Sequence, residues 1–503
     1  MKKIIASVVV AFALAAVAAP EKIASVQISD VAGVVSAASK LGEFTGNAML
    51  GAMAAAQLAQ NPFAQFFGPG RDGASTLIVV FHDGPLPDDL SAATNGFSCA
   101  FVYPVTRTKA QFLENFPEAK ESDGVIAVNG TGLLGKSFVT FTADGKWAVA
   151  ATEKAVVAAA LKEIGSAAKP LGASVLRVRV TAKGVELAVR GFDKFGAEMA
   201  KQAGAKQTDV EEAVKLVKDV YGQFAGAVFD LGVTDKGLDI GLAAKPRTGT
   251  DFDAIGRKLL PADPLAFAGK DSFLAVAAAE DAGQGDSAKQ GDAFFALLAK
   301  YGLDTKKWLS REKTAGGEKF TLDFDGAVSY FKGEGAAAFG KIDPQKFMEE
   351  FSALSPKKFE VKGPAYSGSF ALKGETFATS AAERFAKILP EAAAKKPYAV
   401  QMLSLYALAR KLAPKAVELA DEDERQILKP MLAALPPAGE GGTAVVGWRE
   451  KDVIRGLIRV SPDEIRGISS VVNVGMGFFV MRAMSASALE MDDADDDPDD
   501  DED

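Results

Sequence analysis

The string Gly130-Thr131-Gly132-Leu133-Leu134-Gly135-Lys136-Ser137 is the stretch of the chain whose residue types and spacing match a known chemical motif. It fits both the phosphate-loop spacing G-x-x-x-x-G-K-[ST] and the dinucleotide spacing G-x-G-x-x-G. As a phosphate loop, its backbone N–H groups cradle phosphates while Lys136 contacts the terminal phosphates and Ser137 a magnesium ion. As a dinucleotide loop, it has Glu153, 23 residues after Gly130, where an acid binds the ribose. Either chemistry needs a helix that starts at the last glycine, because the helix supplies unpaired N–H groups and a positive dipole end.

The residues after Ser137 predict a strand instead. Phe138, Val139, Thr140, Phe141 and Thr142 are β-branched or aromatic, and Asp144-Gly145 is a favoured pair for a two-residue hairpin turn. The glycines then read as a loop entering a hairpin, and no cofactor is expected. A nucleotide-binding enzyme that uses Gly130, Gly132, Gly135, Lys136 and Ser137 is the alternative.

Other reactive residues are sparse. His82 is the single histidine and closes the strand expected over Thr76 to Phe81, a surface position in the turn His82-Asp83-Gly84. Cys99 is the single cysteine, so no intrachain disulfide forms, and its place in the apolar run Ser98 to Val105 predicts a buried, inert thiol. Ser355 and Lys358 have the spacing of a serine-lysine pair, but Pro356 places them in a loop and the companion motifs are missing. Asp421, Glu422, Asp423 and Glu424 have no nearby histidine and read as a helix start or solvated face, not as a metal cluster. No catalytic residue and no metal site are assigned, which argues against an enzyme.

The elements that must position any site begin after an export signal. Lys2 and Lys3, an apolar run from Ile4 to about Ala18, and Ala16-Val17-Ala18 read as a signal peptide over residues 1–18. Its apolar run is too short to span a bilayer, and no transmembrane span is expected after cleavage. The mature protein is therefore expected in the periplasm or outside the cell. Residues 19–74 read as N-terminal helices, two small ones between Asp30 and about Phe67, broken at Asn61-Pro62 and Gly68-Pro69-Gly70.

From residue 125 a hairpin with one apolar face recurs. Copies are expected at Ser137 to Ala151 around Asp144-Gly145, Val175 to Val189 around Lys183-Gly184, and Phe229 to Leu242 around Asp235-Lys236-Gly237. Others are Lys319 to Phe331 around Asp325-Gly326, Ser367 to Thr379 around Lys373-Gly374, and Thr443 to Val460 around Glu450-Lys451-Asp452. Capping boxes at Thr108 with Gln111, Thr208 with Glu211 and Ser461 with Glu464 mark helix starts, with Pro462 at a first helical position. The segment from Thr108 to Phe116 matches that from Asp343 to Phe351, with Phe112, Phe116, Phe347 and Phe351 as core anchors. The fold class is α+β, with two pseudo-repeated halves of antiparallel hairpin-rich sheet, 75–262 and 270–484, each covered on one face by helices. Residues 397–435, punctuated by Pro397, Pro414 and Pro430, read as a helical insertion, and 485–503 as a disordered acidic tail.

Charge narrows the partners. Removing Lys2 and Lys3 takes the net charge from −9 to −11, and Glu490 to Asp503 carry eleven acids and no base, so the body between sums to zero. A neutral body with an acidic tail leaves no basic stripe for nucleic acid. The tail serves solubility, with divalent cations or a basic partner as its alternative contacts.

A strand, a short helix of the form T/D-x-x-x-F-x-E-x-F, then hairpins such as A-D-G-K-W-A-V-A-A leading to an Ala-rich helix, resembles the large exported α+β proteins grouped as bacterial domains of unknown function. The resemblance covers about residues 75 to 484 and implies export and a repeat-built sheet; it carries no activity and no functional residue. The expected role is a non-catalytic binding or structural component of the cell envelope. The alternative drawn from the same export signal is a carrier holding a lipid or other apolar ligand between sheet and helices.

Overall fold

The computed structural model describes residues 21–60, 62–82, 97–129, 136–202, 214–215, 218–279, 287–314, 317–354, 365–418, 421–437 and 439–492. The expected signal segment, the pair Thr208 and Glu211, the pair Ser355 and Lys358, and the tail beyond Asp492 lie outside these residues.

The chain opens with β1 (Glu21–Ile28), α1 (Val31–Thr45), α2 (Leu50–Ala59) and α3 (Pro62–Phe67), then β2 (Thr76–His82), β3 (Phe97–Pro104) and α4 (Lys109–Leu113). A meander of β4 (Lys120–Ser122), β5 (Val125–Asn129), β6 (Lys136–Phe141) and β7 (Trp147–Ala151) leads into α5 (Lys154–Leu161) and α6 (Ile164–Ala167). Next come β8 (Ser174–Val180), α7 (Ala182–Gln202) and the hairpin β9 (Phe224–Thr234) and β10 (Gly237–Pro246). The second half has β11 (Ser272–Ala278), α8 (Ser287–Lys300), β12 (Leu309–Thr314), β13 (Gly317–Leu322), α9 (Phe324–Lys332), α10 (Glu334–Phe339) and α11 (Pro344–Ala353). It closes with β14 (Tyr366–Leu372), α12 (Ala381–Ile388), β15 (Ala399–Leu403), α13 (Leu405–Val417), α14 (Glu422–Ala433), β16 (Thr443–Glu450), β17 (Val453–Val460) and α15 (Pro462–Asp492).

These seventeen strands form one sheet. Its hydrogen-bonded order is β4, β5, β6, β7, β3, β2, β1, β8, β9, β10, β17, β16, β15, β11, β14, β13, β12. All neighbours are antiparallel except β13 and β14, so the sheet is mixed and the fold is α+β. The sheet runs without a break from one half of the chain into the other through β10 and β17.

Helices cover both faces, not one. On β7, Trp147, Val149 and Ala151 pack with Val156, Val157 and Ala160 of α5, whereas Ala148 and Ala150 pack with Phe63 and Phe67 of α3 and Phe112 of α4. The whole strand is buried, which is why it reads as a continuous apolar run and not as an alternation. In the second half, Ala275, Ala277, Val400, Met402, Ala444 and Val446 form one core with α12. The middle strands behave as the one-face-apolar pattern predicts. On one face Arg177 pairs with Asp230 and Arg459 with Asp239 across neighbouring strands, both at 2.6 Å, while Val178, Phe229, Leu231, Ile240 and Ile458 occupy the other.

Two expected hairpins are strand-to-helix turns. Thr181 Oγ1 accepts the N–H of Gly184 at 3.2 Å and caps α7, so Val185, Leu187 and Val189 lie on a helix. Asp323 likewise accepts the N–H of Gly326 at 2.9 Å and caps α9. In both, the glycine serves close approach and not a hairpin turn: a Cβ on Gly184 would stand 2.3 Å from the Ile23 carbonyl oxygen, and one on Gly326 2.8 Å from that of Lys307. At Lys373-Gly374 the turn exists, with Gly374 at φ +76, but residues 376–380 return as irregular chain leading to α12. The hairpins around Asp144-Gly145, Asp235-Lys236-Gly237 and Glu450-Lys451-Asp452 form as expected.

The chain also departs from expectation near its start, in the 397–435 segment and at its last helix. β1 precedes the expected N-terminal helices and sits between β2 and β8, and those helices number three, not two. The 397–435 segment is not wholly helical, because β15 inserts between β11 and β16, and Pro414 and Pro430 lie inside helices. Helix α15 extends to Asp492, so residues 485–492 are helical and not disordered tail. Thr108 and Gln111 form the full capping box. Ser461 Oγ accepts the N–H of Glu464 at 3.3 Å, but the Glu464 carboxylate turns away to accept the N–H groups of Leu405 and Tyr406 at 2.8 and 3.0 Å, capping α13 instead. Among the described residues no helix is long and apolar enough to cross a membrane.

Candidate functional site

Lys136 and Ser137 open strand β6, where Lys136 pairs with Asn129 and Ser137 with Val128. Their backbone groups belong to a β ladder, so no helix end lies beyond them to point at a phosphate. Gly130, Gly132 and Gly135 lie outside the described residues. Glu153, the expected ribose acid, occupies the N-cap position of α5.

The remaining reactive residues do not converge. His82 is 3% exposed, a correction to the expected surface position; β2 continues through it and its ring packs 5.0 Å from that of Phe97. Cys99 is half-buried on β3, where burial pushes its thiol up from the ordinary value, so the nucleophilic thiolate is scarce near neutral pH. Asp421 stands at the N-cap of α14 with Glu422, Asp423 and Glu424 in its first turn, the expected helix start. Among the described residues no group of three potential ligands is placed to hold a metal ion.

One arrangement with room for a ligand lies over the sheet at α12. This helix starts at Ser380, whose side chain accepts the N–H of Glu383 while the Glu383 carboxylate accepts the N–H of Ser380, a complete capping box. It ends before Pro390. Ala381, Phe385 and Ile388 recur at helical spacing and pack on Ala275, Val400 and Met402 of the sheet.

Between α12, the segment 259–265 and β15 is a cavity of about 250 Å³. Ala382, Phe385 and Leu389 form one wall, Leu260 and Leu265 the other, and Val400 lies at the sheet side; Asp263 and Lys396 are its charged lining residues and both are exposed. The N–H of Leu260 donates to the Pro397 carbonyl at 2.9 Å and holds the outer segment in place.

One buried guanidinium fixes the far end of α12. The Arg459 side chain is 6% exposed and donates to both oxygens of Asp239 at 2.6 and 2.7 Å, to the Ile388 carbonyl at 3.1 Å and to Glu391 Oε1 at 2.9 Å. Asp239 and Arg459 face each other across β10 and β17, so the same group binds the sheet seam to the cavity wall. Ionic attraction to Asp239 holds Arg459 firmly protonated, its pKa raised by that hydrogen bond and further by Glu391.

None of these cavity residues stands out in the sequence. Leu260, Phe385 and Val400 are ordinary apolar residues brought together by topology, and Asp239 and Arg459 are 220 positions apart. The local signal available was the capping pair Ser380 and Glu383. No family model, curated protein or solved structure matches the chain.

Proposed function

We propose that the protein is an exported, non-catalytic binding component of the cell envelope, and that its ligand is apolar and seats in the cavity beside α12. The observation that carries this reading is the cavity itself, apolar on both walls and held between helix and sheet. At about 250 Å³ it exceeds the roughly 150 Å³ that admits benzene and falls below the roughly 300–1,000 Å³ of drug-sized pockets. A small apolar molecule or the end of an acyl chain matches that size. Export is supported by the sequence of residues 1–18.

The two halves are proposed to be pseudo-repeats of one unit. In support, Phe112 and Phe116 pack with ring centres 4.9 Å apart, Phe347 and Phe351 with theirs 6.3 Å apart, and both helices are preceded by side-chain caps, Thr108 and Asp343. The elements before them differ: β3 in the first half, α9 and α10 in the second.

The test is native mass spectrometry of the protein made through an export pathway, with octanol titrated against tryptophan fluorescence, to which Trp448 contributes from the core beside the cavity. A bound apolar mass, or an octanol-dependent shift that Ala382→Leu abolishes by filling the cavity, is expected. Equal native and denatured masses together with no octanol response would overturn the reading.

A further inference from the structure

A second cavity, of about 470 Å³, opens where α12 and α13 meet segments 376–379 and 439–440. Its charged lining residues are Arg384, Arg410, Lys411 and a single carboxylate, Glu440. Arg384 is 2% exposed. Its Nη1 donates to the Thr379 carbonyl and its Nη2 to the Ser272 carbonyl at 2.6 Å, while Nε has no partner among the described residues. Arg410 Nη1 donates to the Leu432 carbonyl at 3.0 Å.

Among the described residues, neither arginine has a carboxylate within 4 Å. Two carboxylates act on Arg384 at longer range: Glu440, which pairs with Lys387 at 2.8 Å, and Glu383, which accepts the Ser380 N–H in the capping box. Glu375 pairs with Lys411 at 2.7 Å. Phe377 stacks 4.7 Å from the Arg384 guanidinium, which spreads the charge over a ring face but does not neutralise it. A buried cation normally has a counter-ion, because taking it out of water unpaired is costly. The burial is felt here, since desolvation pulls the Arg384 guanidinium down to about 10.

We infer that this cavity binds a phosphate group, with Arg384 and Arg410 as its clamp and Lys411, already paired with Glu375, as a further N–H donor. Guanidinium donors match phosphate oxygens in pairs, and Arg384 Nε, itself buried, is a donor that no group among the described residues uses. The volume lies in the range of organic ligands, so the phosphate is an ester, either a free phosphomonoester or a phospholipid headgroup. This site is separate from the apolar cavity and does not depend on it.

The test is calorimetric titration of the full chain with glycerol 3-phosphate at fixed ionic strength, beside co-sedimentation with phosphatidylglycerol and phosphatidylcholine vesicles. Binding weakened at least tenfold by Arg410→Gln, which leaves the Arg384 hydrogen bonds intact, supports the site. Heat with glycerol 3-phosphate assigns a free ester; binding to phosphatidylglycerol vesicles alone assigns a headgroup. The thermal midpoint of Arg410→Gln shows that it is folded, and Lys411→Gln provides a second folded variant. No response to either probe, or a response that neither variant weakens, overturns the inference.

Discussion

Replacing Arg459 by Leu removes a side chain that joins the sheet seam to the wall of the apolar cavity. Four hydrogen bonds go with it, two to Asp239 and one each to Ile388 and Glu391. Removing one partner of a buried ion pair costs about 3–5 kcal/mol, most of it from the charge left behind. Here the Asp239 side chain is 20% exposed and that of Glu391 35%, so water relieves part of the penalty and the expected loss is at the lower end, about 3 kcal/mol. The measurement is urea unfolding monitored by tryptophan fluorescence. Trp448 packs against the same core as α12 and lies 4.3 Å from the Lys395 ammonium, so it reports on this region. A midpoint shift at unchanged slope gives the stability change directly. The double variant Arg459→Leu with Asp239→Leu is expected to recover most of the loss, because two apolar side chains replace a pair without stranding a charge on the seam. A single-variant loss below about 1 kcal/mol, or a double variant weaker than the single, refutes the claim that this guanidinium holds the wall.

Glu464 is 1% exposed, and burial raises its carboxyl above the ordinary value despite the two N–H groups it accepts. A carboxyl whose folded pKa is raised binds its proton more readily when folded, so stability falls as pH rises from the ordinary carboxyl value through the folded one. Glu464→Gln keeps an acceptor for Leu405 and Tyr406 and is expected to flatten that pH dependence in thermal unfolding, whereas Glu464→Ala loses about 1–3 kcal/mol at all pH values by orphaning both donors. Gly184→Ala, which in an open helix stabilises by about 0.5–1 kcal/mol, is expected to lower the melting temperature because its Cβ would meet the Ile23 carbonyl at 2.3 Å.

The fold was legible where a turn forces its own chemistry. Asp144-Gly145 and Asp235-Lys236-Gly237 close hairpins because their glycines take positive φ, +67 at Gly145 and +129 at Gly237, and no competing element claims the residues. The same kind of glycine misled at Gly184 and Gly326, where a Thr or Asp three residues earlier is a helix cap. Thr181 and Asp323 read equally well as strand-end residues. What decides is tertiary: Leu187 and Phe195 of α7 find Ile23 and Val80, which no local pattern shows. β1 was illegible because it comes directly after the stretch expected to be an export signal and gains its meaning only by pairing with β2 and β8, more than forty residues away in each case.

Helix α12 shows why the sites were harder to read than the fold. At about 100° per residue, Ala382, Phe385 and Leu389 fall on one stripe, and Arg384 lies roughly 200° from Ala382 and 100° from Phe385. In sequence this is an ordinary amphipathic helix with its arginine on the wet side. The structure buries Arg384 as well, because segment 376–380 folds over it and supplies the Thr379 carbonyl, so both flanks of one short helix face cavities of opposite character. A charged residue on the polar side of a helix predicts exposure only when nothing packs there. Deciding whether something packs there required the path of residues 376–380, which the expected hairpin at Lys373-Gly374 had assigned to the sheet. Misplacing that return strand and missing the basic cavity were therefore one error: the strand would have carried away the segment that makes Arg384 a buried cation.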